Sequence, residues 1–163
     1  FVKILYILRH AKSSWDNPDL SDHERPLNKR GRQAAPKMGS LMAKNAMIPD
    51  LMISSTAVRS RATAEIIAEL IGYKGQIEFS DKLYAAPAET CLKILAEVPD
   101  HYQSVMIVGH NPGLEELLQD LTGKFEPLPT AALAQVRLPI QSWRELLEDA
   151  AGEIVYVWRQ KEI

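Results

Sequence analysis

The sequence predicts an α/β fold, a three-layer α/β/α sandwich around a mainly parallel sheet. Three observations predict it. Short apolar runs of strand length alternate along the chain with longer stretches of helical periodicity. Some of these runs, at residues 2–8 and 105–108, are continuously apolar apart from Lys3, as in strands covered on both faces. The 163 residues show no internal repeat, low-complexity segment or linker, which fits one domain over 1–163.

The first strand falls at residues 2–8, and Arg9-His10 ends it. Residues 11–28, rich in Ser, Asp, Asn and Pro, read as a loop whose length suggests a function. Asn28 is placed as the N-cap of a helix over 29–44, which Gly31, Pro36 and Gly39 weaken and Pro36 is expected to kink. Residues 50–54 form a second strand. The best helix of the chain covers 56–71, with Ala62, Ile66, Ala68, Leu70 and Ile71 on its apolar side and Gly72 at its stop. Residues 76–79 suit a third strand, and 87–98 an amphipathic helix carrying Leu92, Ile94, Leu95 and Val98. The strand over 105–108 runs into Gly109-His110-Asn111-Pro112-Gly113, where Asn111 is expected to cap, and Pro112 to open, a helix ending near Leu121. Strands over 133–138 and 154–158, with a short helical piece near 142–149 between them, close the chain.

Composition excludes several functions. The net charge of −2 argues against bulk nucleic-acid or membrane-surface binding. No apolar run is long enough for a signal peptide or a membrane span. Cys91 is the one cysteine, so neither an intramolecular disulfide nor a multi-cysteine zinc site can form. It reads as a buried free thiol, which suits a reducing cytoplasm.

Two segments of the same form carry the chemistry. Arg9-His10 follows one strand directly and Gly109-His110 follows another, where open α/β sheets place their ligands. A third segment, Ser54-Ser55-Thr56-Ala57-Val58-Arg59-Ser60-Arg61, also runs from a strand end into a helix, whose N-terminal N–H groups and hydroxyls favour an anion. Arg59 and Arg61 point to different sides of that helix, so only one of them can face the strand ends. Arginine forks match phosphoryl oxygens, and a neutral imidazole is a competent nucleophile near neutral pH. The set suits phosphoryl transfer to a histidine. It suits no metal, because arginines would repel one and no HExxH pattern or acidic cluster is present.

The order Leu8-Arg9-His10-Ala11, then Ser54-Ser55 with Arg59 and Thr63-Ala64, then Val108-Gly109-His110-Asn111-Pro112 resembles the histidine phosphatase superfamily, also called phosphoglycerate mutase-like. Arg9-His10-Ala11-Lys12-Ser13-Ser14-Trp15, with Arg25-Pro26-Leu27 and Arg30-Gly31, is similar to its small SixA-type branch, the phosphohistidine phosphatases. The resemblance implies a phosphoglycerate mutase-like fold, no cofactor and no metal. It implies His10 as nucleophile, Arg9 and Arg59 as phosphate ligands, and His110 as a further donor to the phosphoryl oxygens. Asn111 is assigned to the helix cap instead. Ser13 and Trp15 form a possible substrate loop, while Arg25 and Arg30 are read as holding the loop by salt bridges. His23 and His101 are read as surface residues.

Larger members of the family place a Glu where Ala85 stands, and Glu89 nearby reads as a helix-start carboxylate. A site without a dedicated acid suits a leaving group that needs little protonation. The imidazole of a phosphohistidine, with a pKa of about 6.5, leaves far more easily than an alkoxide. The expected activity is therefore a metal-independent phosphatase acting on a phosphohistidine-bearing protein. The alternatives are a phosphatase of small phosphorylated substrates and a non-catalytic phosphoprotein-binding module, and His10 argues against the latter. An α/β-hydrolase is excluded because Asn111 stands where its serine would be, and the glycines of a dinucleotide fold or a P-loop are absent.

Overall fold

The computed structural model describes residues 2–149 and 151–163. Six strands form one sheet: β1 (Lys3–Arg9), β2 (Leu51–Ser55), β3 (Glu78–Ser80), β4 (Ser104–Gly109), β5 (Leu133–Leu138) and β6 (Glu153–Trp158). Their order across the sheet is β3-β2-β4-β1-β5-β6. The pairs β3/β2, β2/β4 and β4/β1 are parallel, and β5 runs antiparallel to both of its neighbours. The α-helices among the described residues are α1 (Lys29–Lys44), α2 (Val58–Ile71), α3 (Ala88–Ala96) and α4 (Gly113–Thr122).

The period of two along each strand divides the core into two sides. Leu5 and Ile7, Leu51 and Ile53, and Val105 and Ile107 point to one face, where α3 and α4 contribute Cys91, Leu95, Leu114 and Leu118. Tyr6 and Leu8, Met52, and Met106 and Val108 point to the other, onto Met38 and Met42 of α1 and Ala64, Ile67 and Ile71 of α2. Continuous apolar strands and helices on both faces are thus one fact, and the three-layer expectation holds. Cys91 is buried, which pushes its thiol up to about 11 and leaves it unreactive.

The expected elements are present, with shifts at their ends. Asn28 caps α1, its side chain accepting from the Gly31 amide at 2.8 Å, and the helix runs on through Pro36. Gly31 is required for a close approach: a Cβ there would lie 2.1 Å from the Lys12 carbonyl oxygen. The last helical piece is a single 3-10 segment, Trp143–Leu147, closed by a capping box between Ser142 and Glu145.

One expectation holds only in part and one fails. The buried face of α2 holds Arg59, Ser60, Thr63, Ala64, Ile67 and Ile71; of the expected apolar side Ile71 is therefore buried, Ala62, Ile66 and Ala68 pack half-buried against the core, and Leu70 is exposed. The most buried stripe is polar in its first turns, which hydrophobicity alone does not select. Nor does Asn111 cap α4. Pro112 occupies the cap position without a side-chain bond, and Asn111 Nδ2 donates instead to the Leu128 carbonyl at 2.8 Å, tying the strand end to the segment before β5. Among the described residues, no helix is long and apolar enough to cross a membrane.

Candidate active site

Strands β1 and β4 are neighbours, with Arg9 opposite Gly109 in register, and β2 lies beside β4 with Ser54 opposite Val108. The chain leaves β1 toward α1 on one face and β4 toward α4 on the other. Adjacent parallel strands whose connections diverge open a crevice at their carboxyl ends. His10, His110 and the start of α2 therefore meet in space although 100 residues separate the histidines in sequence. Arg9, His10, Ser13, Trp15, Arg59 and His110, all expected from sequence, line one cleft of about 390 Å³.

His10 is 7% exposed. Its Nδ1 lies 2.7 Å from the Ala11 carbonyl oxygen, which can only accept, so Nδ1 carries the proton. Its Nε2 is then a lone pair, and the Arg59 Nε–H donates toward it at 3.4 Å. Burial above all, with Arg59, Arg9 and Arg25 adding to it, pushes the His10 pKa down to about 4. The imidazole is neutral at physiological pH.

His110 is held from the opposite side, its ring centroid 5.1 Å from that of His10. Its Nε2 lies 2.8 Å from Ser55 Oγ and 3.3 Å from Ser60 Oγ. Its Nδ1 faces Arg59 Nη2 at 3.5 Å. Burial, then the neighbouring His10 and Arg59, push its pKa down to about 3. The hydroxyls of Ser55, at the end of β2, and Ser60, in the first turn of α2, thus orient a histidine rather than face the cleft. Thr63 has a similar backbone role: its Oγ1 accepts from the Ala11 amide at 3.0 Å and donates to the Arg59 carbonyl at 2.7 Å. That pair fixes the nucleophile loop onto α2.

Arg59 is buried, while Arg61 turns outward to lie over the Phe79 ring at 3.7 Å. Arg9 Nη1 donates to the Leu128 carbonyl at 3.1 Å, and its buried Nε has no protein acceptor. Ser13 is buried in the cleft wall, whereas Trp15 stands 76% exposed at its mouth, under the Arg25 guanidinium at 3.5 Å.

Arg25 holds the loop by a salt bridge to Asp22, as expected, whereas Arg30 is exposed and forms no ion pair among the described residues. Sequence reasoning missed Asp22, Tyr84 and Thr130 in the cleft, did not place Arg25 there, and misplaced His23 beside it. Loop 11–28 folds back on itself, with Ser13 bridged to Leu27 and the Ser14 amide on the Pro26 carbonyl. This carries Asp22, Arg25 and His23 over the strand ends. Arg25 lines the cleft, buried, with Nε donating to Asp22 Oδ1 at 3.1 Å and Nη1 to the Ser14 carbonyl at 3.2 Å. Asp22 receives Arg59 twice, at its carbonyl (2.7 Å) and at Oδ2 (3.0 Å). The Tyr84 hydroxyl also donates to Oδ2 and, with Arg59 and Arg25, holds the Asp22 carboxyl down to about 2. His23 is not a free surface residue: it is half-buried, with Nε2 2.8 Å from Thr56 Oγ1 and its ring against that of Tyr84. His101 is exposed, as expected. The available signal was the spacing of Asp22 and Arg25, and Arg25-Pro26-Leu27 in the branch motif. Nothing local pointed to Tyr84.

Ala85 lines the cleft where larger members of the resembling family carry a Glu. Glu89 is exposed and paired with Lys93 at 3.1 Å, away from the lining residues. No group of three metal-ligating side chains occurs among the described residues.

The sequence profile of the histidine phosphatase superfamily (branch 1) matches residues 5–84. A crystal structure from Agrobacterium tumefaciens, of a candidate phosphohistidine phosphatase SixA, superposes with a TM-score of 0.83 at 31% identity, over 98% of this chain and 99% of that one. The protein histidine phosphatase SixA, solved with tungstate, has the same fold, with a TM-score of 0.81 at 20% identity over 94% of this chain and 95% of that one. A chloroplastic protein of Arabidopsis thaliana of uncharacterised function is 34% identical over 151 residues, 86% of this chain and 69% of that protein.

Proposed function

This chain belongs to the histidine phosphatase superfamily, and we propose that it is a metal-independent phosphohistidine phosphatase, residues 1–163 working as one domain and His10 as the nucleophile. The observation that carries the reading is the Nε2 lone pair of a neutral His10, held by the Nδ1–H bond to Ala11 and facing the Arg59 guanidinium.

The steps follow from that geometry. A phosphoryl group enters among Arg9, Arg25 and Arg59, which line the cleft and whose guanidinium forks match its oxygens. His10 Nε2 forms a bond to phosphorus as the bond to the leaving nitrogen breaks, and the donor ring, protonated on its other nitrogen, departs as neutral imidazole. Arg59 Nη2 can only donate, so in the empty cleft His110 Nδ1 accepts from it and the ring proton lies on Nε2, toward Ser55 and Ser60 Oγ. When Arg59 Nη2 turns onto the phosphoryl oxygens, Nδ1 is freed, and the ring proton on that nitrogen makes His110 a further donor where charge accumulates, with Ser55 and Ser60 donating to Nε2. Water next attacks the phosphoryl group on His10, breaking the N–P bond, releasing phosphate and restoring the neutral ring.

The leaving group is argued from what the cleft lacks. Ala85 supplies no proton, Glu89 lies elsewhere, and Asp22 is held ionised. A leaving imidazole, with a pKa of about 6.5, needs little help. The donor is then a phosphorylated protein presenting a phosphohistidine at the mouth beside Trp15. A reducing setting such as the cytoplasm suits the single buried thiol.

The test compares wild type with His10→Ala on a phosphohistidine-bearing domain and on a panel of sugar and glycerate phosphates, with a chelator present. Rapid loss of phosphohistidine that depends on His10, with little ester cleavage, is the expected result. Fast ester cleavage with slow phosphohistidine turnover would reverse the substrate assignment, and activity abolished by the chelator would remove metal independence.

A further inference from the structure

We propose that Asp22 is a specificity-determining residue, one that selects against phosphoryl donors bearing a negative charge next to the scissile bond. The proposal rests on the phosphatase reading above. Asp22 is the single carboxylate among the residues lining a cleft that otherwise holds Arg9, Lys12, Arg25 and Arg59. A site that only had to grip phosphate would do better without it, because it partly neutralises two arginines.

Its place explains its presence. The Arg59 guanidinium turns its Nε edge to His10 and its Nη1 and Nη2 ends to Asp22. Asp22 therefore lies at the Nη end of the guanidinium, away from the Nε that faces the nucleophile, with its side chain half-exposed to the cleft that a donor must occupy. Its carboxylate is half-exposed and cannot swing away freely, since Arg59, Arg25 and Tyr84 all donate to it. A carboxylate on an incoming donor, as in a phosphorylated hydroxy acid, meets this fixed charge. The other ring nitrogen of a phosphohistidine, an N–H donor when that ring is protonated, meets an acceptor instead. Two like charges several ångströms apart in a half-solvated cleft change relative rates by about tenfold.

A matched pair of aryl phosphates tests this, one carrying a meta carboxylate and one the neutral carboxamide of the same shape. The quantity is the ratio of their kcat/KM values in wild type and in Asp22→Asn at low salt. Comparing ratios cancels the intrinsic reactivity of the two esters. Asp22→Asn should shift the ratio toward the carboxylate by about tenfold, and the shift should shrink at about 0.5 M salt. Asp22→Ser, assayed in parallel, should shift it the same way and serves if the amide variant is unstable. A residue that merely held the loop would slow both esters alike, so an unchanged ratio in a folded variant overturns the proposal and leaves the phosphatase reading standing. If neither ester nor a phosphohistidine domain loses phosphate in a His10-dependent way in wild type, the phosphatase reading falls, and this proposal with it.

Discussion

Taking the protein from pH 7 to pH 5 should cost the wild type about 2 kcal/mol more stability than it costs a His10→Gln variant. The reason is the depressed pKa of His10, about 4 in the folded protein against an ordinary 6.5. Between these two values the unfolded chain takes up a proton on His10 and the folded chain does not. Stability therefore rises with pH across the window, is at full strength above about 6.5, and is lost as pH falls toward 4. At 7% exposure the ring is shielded enough for the shift to count without a discount for solvent screening. One pKa unit corresponds to about 1.4 kcal/mol, and from pH 7 to pH 5 about 1.5 units of the difference are engaged. His110 titrates in both proteins and cancels to first order. The assay is urea unfolding of both proteins at several values between pH 7 and pH 5. Parallel curves for the two would refute the reasoning, since His10 would then ionise alike folded and unfolded. The same result would remove the argument that the nucleophile is poised neutral by burial.

Other consequences are as direct. Arg59→Ala should lower kcat/KM by about 10²–10³-fold, as expected for loss of a preorganised donor to a developing oxyanion, and steady-state kinetics on a phosphohistidine domain would read it. Glu89→Gln should leave that activity within twofold and stability within about 0.5 kcal/mol, because Glu89 and its partner Lys93 are both largely exposed. Gly113→Ala should destabilise by about 3 kcal/mol or prevent folding, since the new Cβ would lie 1.9 Å from the Ala86 carbonyl oxygen. A melting curve decides that. Lys3→Met should cost about 1–3 kcal/mol in urea unfolding, because buried Lys3 Nζ satisfies the carbonyls of Asp100 and Tyr102 at 2.8 and 3.1 Å.

The layered fold and the two histidines were legible in the sequence because their signals are local. A strand covered on both faces is a continuous apolar run, and a residue directly after such a run sits at a carboxyl end wherever the strand lies. Arg9-His10 and Gly109-His110 needed only those two facts, and the register of β1 with β4 then brought them together. The choice of Arg59 over Arg61 was open from helix geometry and was narrowed by the resemblance alone.

The rest depended on contacts through space that have no period in the chain. Asp22 and Tyr84 are 62 residues apart, and they meet only because loop 11–28 folds back across the strand ends. The inward side of α2 escaped hydrophobic periodicity because its first turns bury Arg59, Ser60 and Thr63 toward the cleft, where polar partners rather than apolar packing satisfy them. Asn111 looked like a cap because of Pro112, yet its amide found the Leu128 carbonyl from another part of the chain. By itself the sequence determined the sheet, its layers and which histidines stand at the strand ends, since each follows from neighbours in the chain. The tautomer of His10, the carboxylate held on Arg59 and the face that α2 turns inward were decided by the tertiary structure alone, because a hydrogen bond between distant segments forms only once the fold has set the distance.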